Sequence, residues 1–132
     1  MSVLYCDSSA LLKRVLREAG SEEVAALLRE SDDAGDLLAA SELAWLEVWR
    51  TFRRVGVADV AAVVDVALSG VAVVPLDTAV LSRARTIGSD GLRSLDAIHL
   101  ASVVVIGAEA VLTYDDRLAD AAAALGVRVL AP

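Results

Sequence analysis

The chain has 132 residues, 57% hydrophobic and only 4% aromatic, a composition that predicts one aliphatic α/β domain over 1–132. Its formal charge of −7 argues against a surface coated in cations for nucleic acid. The longest apolar stretch, from Val60 to Val74, is interrupted by Asp65, Ser69 and Gly70. It falls short of the ~18–20 residues of a membrane helix, so no membrane span is expected.

Residues Val3 to Cys6 read as a short buried strand, with Asp7-Ser8-Ser9 as a turn and helix cap. Leu11, Leu12, Val15, Leu16 and Ala19 then recur at helical spacing up to Gly20. A second helix starts at Ser21 and closes in the acidic turn SDDAGD. A brief strand near Leu37 to Ala39 precedes Ser41, which is placed to cap a helix with Leu43, Leu46 and Phe52 on its apolar side. Glu47, Arg50, Thr51 and Arg54 share another face of that helix.

Beyond Gly56 the pattern predicts a helix over Ala58 to Leu68, a strand over Val71 to Leu76, and a helix opened by Asp77 that ends near Gly88. Ser94 is expected to cap a helix from Leu95 to Ile106 that carries Asp96 in its first turn. A strand from Val111 to Thr113, a helix starting at Asp115-Asp116 and a final strand from Val127 to Leu130 complete the chain. Continuous aliphatic strands alternating with helices predict a parallel sheet covered on both faces.

The opening MSVLYCDSS has no basic stretch ahead of an apolar one, so no secretory signal is expected, and a cytoplasmic location follows. The single cysteine, Cys6, lies in an apolar strand and reads as a small core residue.

Chemistry is concentrated in four carboxylates. Asp7 and Asp115 follow predicted strands, where functional groups of open α/β sheets gather, and Glu47 and Asp96 lie on helices that start at the same edge. Separations of 40, 49 and 19 residues leave tertiary folding as the only way to assemble them. Uncompensated, such a cluster repels itself; Mg²⁺ or Mn²⁺ would turn it into an oxygen-ligand site. The bland alternatives are helix caps for Asp7, Asp96 and Asp115, and a surface ion pair of Glu47 with Arg50 or Arg54. Four of the seven net negative charges then belong to the candidate site. Eleven of the twelve basic residues are Arg and they bunch, as at Lys13, Arg14 and Arg17 and at Arg50, Arg53 and Arg54.

The segments LYCDSSAL, SELAWLEV, SLDAIHLA and TYDDRLADAA resemble, in chain order and type, the motifs of PIN-domain nucleases, and more narrowly VapC-like toxins of VapBC-type modules. The resemblance spans essentially the whole chain. It implies a PIN-like three-layer sandwich with a central, mostly parallel sheet flanked by helices. It also implies a metal-dependent endoribonuclease, hydrolysing tRNA, rRNA or mRNA and neutralised by a cognate VapB-like antitoxin. Alternatives are a stand-alone PIN nuclease in RNA processing and a non-catalytic PIN-fold binding domain.

On the resemblance, Asp7 and Asp96 would ligate Mg²⁺ or Mn²⁺ directly, with Glu47 and Asp115 joining directly or through water. Thr113 would hold a water or orient a carboxylate. Asp116 rivals Asp115, which is favoured because it occupies the T-x-D position and would leave Asp116 to cap the helix. A homodimer is also implied. Arg50, Arg54, Lys13 and Arg14 are candidates for RNA contact. His99, three residues after Asp96, reads as a packing or hydrogen-bonding residue of the motif helix. Trp45 and Trp49 read as packing or dimer-interface residues ahead of base stacking.

Overall fold

A computed structural model of the protein describes residues 2–132. Five strands, β1 (Val3–Cys6), β2 (Leu37–Ser41), β3 (Val71–Val74), β4 (Ala110–Leu112) and β5 (Arg128–Leu130), form one sheet in the order β3-β2-β1-β4-β5. All four strand pairings are parallel. Parallel neighbours need crossovers, which are supplied by α1 (Ser8–Leu12), α2 (Ser21–Asp33), α3 (Glu42–Val55), α4 (Val60–Ala67), α5 (Thr78–Ala84), α6 (Ser94–Val105) and α7 (Asp116–Ala124).

Strand alternation sorts the side chains into two cores. Leu4 and Cys6 of β1 point to the layer built from α1 to α4, where they meet Leu11, Val24, Val48 and Phe52. Tyr5, one residue out of phase, faces the opposite layer with Leu100, Val103 and Leu118 of α6 and α7. A third cluster seats Val80 of α5 against Ala39, Val74 and Ala101. This is the three-layer sandwich implied by the resemblance. Cys6 is fully buried, and burial pushes its thiol up to about 12, as expected of a packed, inert sulfur. No helix among the described residues is long and apolar enough to cross a membrane.

Strand order reverses beside β1, whose neighbours β2 and β4 are reached by crossovers in opposite directions. That is the switch point at which an open α/β sheet leaves a crevice beyond its carboxyl ends. Asp7 directly follows β1 and Thr113 directly follows β4, so both stand at the mouth of this crevice.

Several elements differ from the periodicity. The first helix ends at Leu12 instead of running to Ala19. After it, the backbone N–H groups of Lys13, Arg14 and Val15 donate to carbonyls three residues back, a tighter winding than an α-helix. Two cations hold that bend: Arg14 donates to the carbonyls of Ala67 and Ser69 at 2.9 and 2.8 Å, and Lys13 donates to that of Ala19 at 2.7 Å. Gly20 then precedes α2 at φ +88°, and a Cβ there would lie 2.9 Å from the Tyr114 hydroxyl, so both conformation and space require glycine.

Ser41 caps α3 as expected, accepting from the Leu43 N–H at 3.0 Å. Ser94 does not cap α6; it is the first helical residue, and Arg93 occupies the cap position without a side-chain bond. Asp77 caps α5 on the far side of β2 from β1, which keeps it out of the crevice.

Candidate active site

Asp7 is buried, 3% exposed, and every hydrogen bond it makes is local to the sheet edge. Its Oδ1 accepts from the Ser9 hydroxyl at 2.6 Å and the Ala10 N–H at 3.1 Å, the second being the N-cap bond of α1. Its Oδ2 accepts from the Thr113 hydroxyl at 2.6 Å. Both donors are themselves held: the Ser9 oxygen accepts from the Tyr114 N–H and the Thr113 oxygen from the Asp115 N–H, each at 2.9 Å. The ends of β1 and β4 are thereby laced through one carboxylate. Burial raises the Asp7 pKa, while the Ser9, Thr113 and Ala10 bonds and the nearby His99 pull it back.

Asp96 sits in the first turn of α6, 8% exposed. Burial raises its pKa, the Asp115 charge adds to the rise, and His99, Arg117 and Arg93 oppose it. It carries no ion pair among the described residues. Asp115 is exposed and performs the cap itself: its Oδ1 accepts from the N–H groups of Arg117 at 2.9 Å and Leu118 at 3.3 Å. The expected division, with Asp116 capping and Asp115 free, is therefore corrected. Asp115 both starts α7 and places charge beside Asp96, while Asp116 lies exposed in the first turn.

Glu47 is partnered by His99 rather than by the arginines of its own helix. His99 Nε2 and Glu47 Oε1 are 2.7 Å apart, although 52 residues separate them. Arg54 instead donates to the Thr51 hydroxyl at 3.3 Å. His99 is 4% exposed, and its Nδ1 lies 2.7 Å from the Tyr5 hydroxyl. The one histidine of the chain thus touches Glu47 and lies within electrostatic reach of both Asp7 and Asp96.

The folded chain therefore brings the four acids to one edge: Asp115 acts on Asp96, and His99, bonded to Glu47, acts on both Asp7 and Asp96. Among the described residues, no three carboxylate, imidazole or thiol groups stand close enough together to hold one ion between them. A closed cage of the zinc or calcium type does not fit this arrangement. A water-rich Mg²⁺ or Mn²⁺ site does fit, because such ions are held by one or two carboxylates and keep several waters. The donors are hard oxygens, and the buried Asp96 carboxylate has no opposing ion pair among the described residues.

Other candidates fall elsewhere. Lys13 pairs with Glu18 at 3.1 Å and lies over the Tyr114 ring, and Arg14 is bound to backbone carbonyls, so both serve the fold. Trp45 and Trp49 are 45% and 36% exposed and, with Leu46 at 58%, form an apolar patch on α3 instead of core. Sequence reasoning missed Tyr5 and the donor role of Ser9. The signal for Tyr5 was available, since a phenol inside a buried strand needs a polar partner.

Residues 4–124 match the PIN domain family model. The chain is 35% identical over 132 residues to Ribonuclease VapC47 of Mycobacterium tuberculosis, covering 98% of this chain and 97% of that protein. It is 37% identical over 137 residues to Ribonuclease VapC46 of the same organism, covering 100% and 99%. In fold it is similar to the crystal structure of Mycobacterium tuberculosis VapC20, described as a Sarcin-Ricin loop cleaving toxin. There the TM-score is 0.74 and the identity 17%, over 98% of this chain and 99% of that one. The VapBC2 structure from Rickettsia felis, bound to a DNA fragment from their promoter, matches at TM-score 0.62 and 9% identity over 97% of each chain. With acids from four separate segments at one sheet edge and full-length similarity to VapC ribonucleases, this chain belongs to the PIN-domain family, in its VapC branch.

Proposed function

We infer that the chain is an endoribonuclease and the toxin half of a VapBC-type toxin–antitoxin module. The observation that carries this reading is the pairing of buried, sheet-edge aspartates with full-length similarity to proteins named VapC ribonucleases. Asp7 and Asp96 would hold Mg²⁺ or Mn²⁺ directly, with Glu47 and Asp115 reaching it directly or through water. When bound, the ion supplies water activation and charge stabilisation on the phosphodiester. The chain's own part is orientation: Ser9, Thr113 and the Ala10 N–H lock Asp7, and the α6 amino terminus carries Asp96.

The substrate is an RNA of the tRNA, rRNA or mRNA class, and the chain acts in the cytoplasm, where its targets are. The cognate VapB-like antitoxin neutralises it. The apolar patch of Trp45, Leu46 and Trp49 beside Glu47 supports a homodimer through α3, since aromatic side chains are enriched in the cores of such interfaces. Sequencing RNA ends in cells after induction, against an Asp7→Asn control, tests the reading. New 5′ ends confined to the active protein are expected; identical end profiles would reject RNA cleavage.

Arg50 and Arg54 are exposed on α3, one turn and two turns beyond Glu47. Replacing both with Gln is expected to weaken RNA binding and to flatten the plot of log K against log salt by about 1 to 2 in slope. An unchanged slope in a titration from low to physiological salt would remove them from the RNA surface.

A further inference from the structure

Between α3 and α6 runs a buried hydrogen-bond chain that neither metal binding nor packing by itself requires. The Ser41 N–H donates to the Tyr5 hydroxyl at 3.2 Å; that hydroxyl lies 2.7 Å from His99 Nδ1; and His99 Nε2 lies 2.7 Å from Glu47 Oε1. Proton directions along it follow from the two ends. A backbone N–H only donates, so it occupies one lone pair of the Tyr5 oxygen, and the phenol donates its own proton to Nδ1 when that nitrogen is the unprotonated one of the ring. A carboxylate only accepts, so Nε2 must carry the imidazole proton and donate it to Glu47.

We propose that His99 is a positioning residue for the Glu47 carboxylate, fixed as the Nε2–H tautomer by Tyr5. The inference rests on the reading of Glu47 as a member of the site. Glu47 is a long side chain, 29% exposed and without a partner from its own helix, whereas Asp7 is locked by three bonds. The imidazole gives it one orientation, with Oε1 engaged and Oε2 without a hydrogen bond among the described residues. His99 in turn is 4% exposed and set edge-on to Tyr5, ring planes at 74°, so it has little freedom of its own. The Tyr5 oxygen is anchored to the N-cap residue of α3, the helix that carries Glu47, so the chain closes back on the element it aims.

The test uses the full chain as wild type, His99→Leu, His99→Gln, Tyr5→Phe, Glu47→Gln and the Glu47→Gln/His99→Leu pair, read by Mn²⁺ calorimetry and RNA cleavage. Loss of the imidazole donor in His99→Leu should weaken Mn²⁺ binding and lower kcat by about 10-fold, with little change in KM. His99→Gln, whose amide N–H extends to nearly the Nε2 position, should recover most of the loss. The pair should be no worse than Glu47→Gln alone, because both changes remove one interaction. Equal losses in the Leu and Gln variants, or additive losses in the pair, would mean that His99 only fills space.

A damaged Glu47→Gln beside a wild-type-like His99→Leu rejects the proposal and spares Glu47 as a site acid. A wild-type-like Glu47→Gln rejects both. The tautomer gives a readout independent of activity and of the His99 variants. With one histidine in the chain, its ring ¹⁵N resonances are unambiguous. Metal-free wild type at mildly alkaline pH should show Nε2–H, and Tyr5→Phe a mixture; an Nδ1–H wild type overturns the assignment.

Discussion

Asp7→Asn and Asp96→Asn are each expected to lose RNA cleavage by at least about 100-fold in Mg²⁺ while remaining folded, a loss larger than is usual for removing a group that merely supports a ligand. Each change removes a charge and almost no volume. In Asp7→Asn the retained Oδ1 still accepts from Ser9 and Ala10, so the cap of α1 and the end of β1 survive, while the new amide faces the Thr113 hydroxyl. In Asp96→Asn no ion pair among the described residues is broken. Cleavage of a labelled RNA, with circular dichroism to verify folding and a chelator arm as the zero, measures the effect. Wild-type rates from both variants under the same metal conditions would mean the site has been misassigned.

The same charge that would hold a cation burdens the fold without one. Asp96→Asn is expected to raise the Tm of the metal-free protein at neutral pH. An effect of about 1 kcal/mol would read as roughly 4 °C in a domain of this size. The sign follows from linkage. Burial and the Asp115 charge raise the Asp96 pKa in the folded state. The native protein therefore takes up this proton before the unfolded chain does. The stability it contributes is complete below the unfolded value of about 3.9 and is lost as pH rises through the folded one.

Asparagine removes the penalty, so its advantage should be largest above the folded pKa and fade toward acid pH. Saturating Mg²⁺ should reverse the order, since ligand at about 100 times its Kd adds ~2.7 kcal/mol to whichever protein binds it. Melting curves at pH 4 and 7.5, with and without Mg²⁺, decide the matter. A variant less stable than wild type at neutral pH, or a difference that ignores pH, would show that Asp96 is not a strained carboxylate.

How far the site could be read in advance varies residue by residue. Asp7 was legible because an aliphatic strand followed at once by Asp-Ser-Ser leaves the acid at the strand's carboxyl end, where the sheet topology then put it. Glu47 was legible as an acid among arginines on one helical face, yet that local reading chose the wrong partner. Arginines three and seven residues on, exposed on the same helix, compete with water, whereas His99 waits in the interior. Asp115 was legible as a member of the edge and misread in its labour, because the tandem acids differ only in which one meets the helix start. The first helix was overextended because Val15 and Leu16 keep helical spacing while the chain tightens around Arg14, a cation held by carbonyls more than fifty residues away.

By itself the sequence determined the alternation of strands and helices and the parallel sheet, because burial on both faces writes continuous aliphatic runs and helical spacing into any chain that folds this way. It also placed four acids at strand ends and on helices that start at the same edge, and full-length motif order pointed to the PIN family. Only the tertiary structure decided which groups meet: Thr113 on Asp7, Asp115 beside Asp96, and the Ser41, Tyr5, His99 and Glu47 chain across two helices and two strands. Hydrogen bonds between residues 94 and 106 positions apart leave no periodicity to read. They exist only because the crossovers bring β1, β4, α3 and α6 to one edge, where short-range polar forces then select partners by distance and direction.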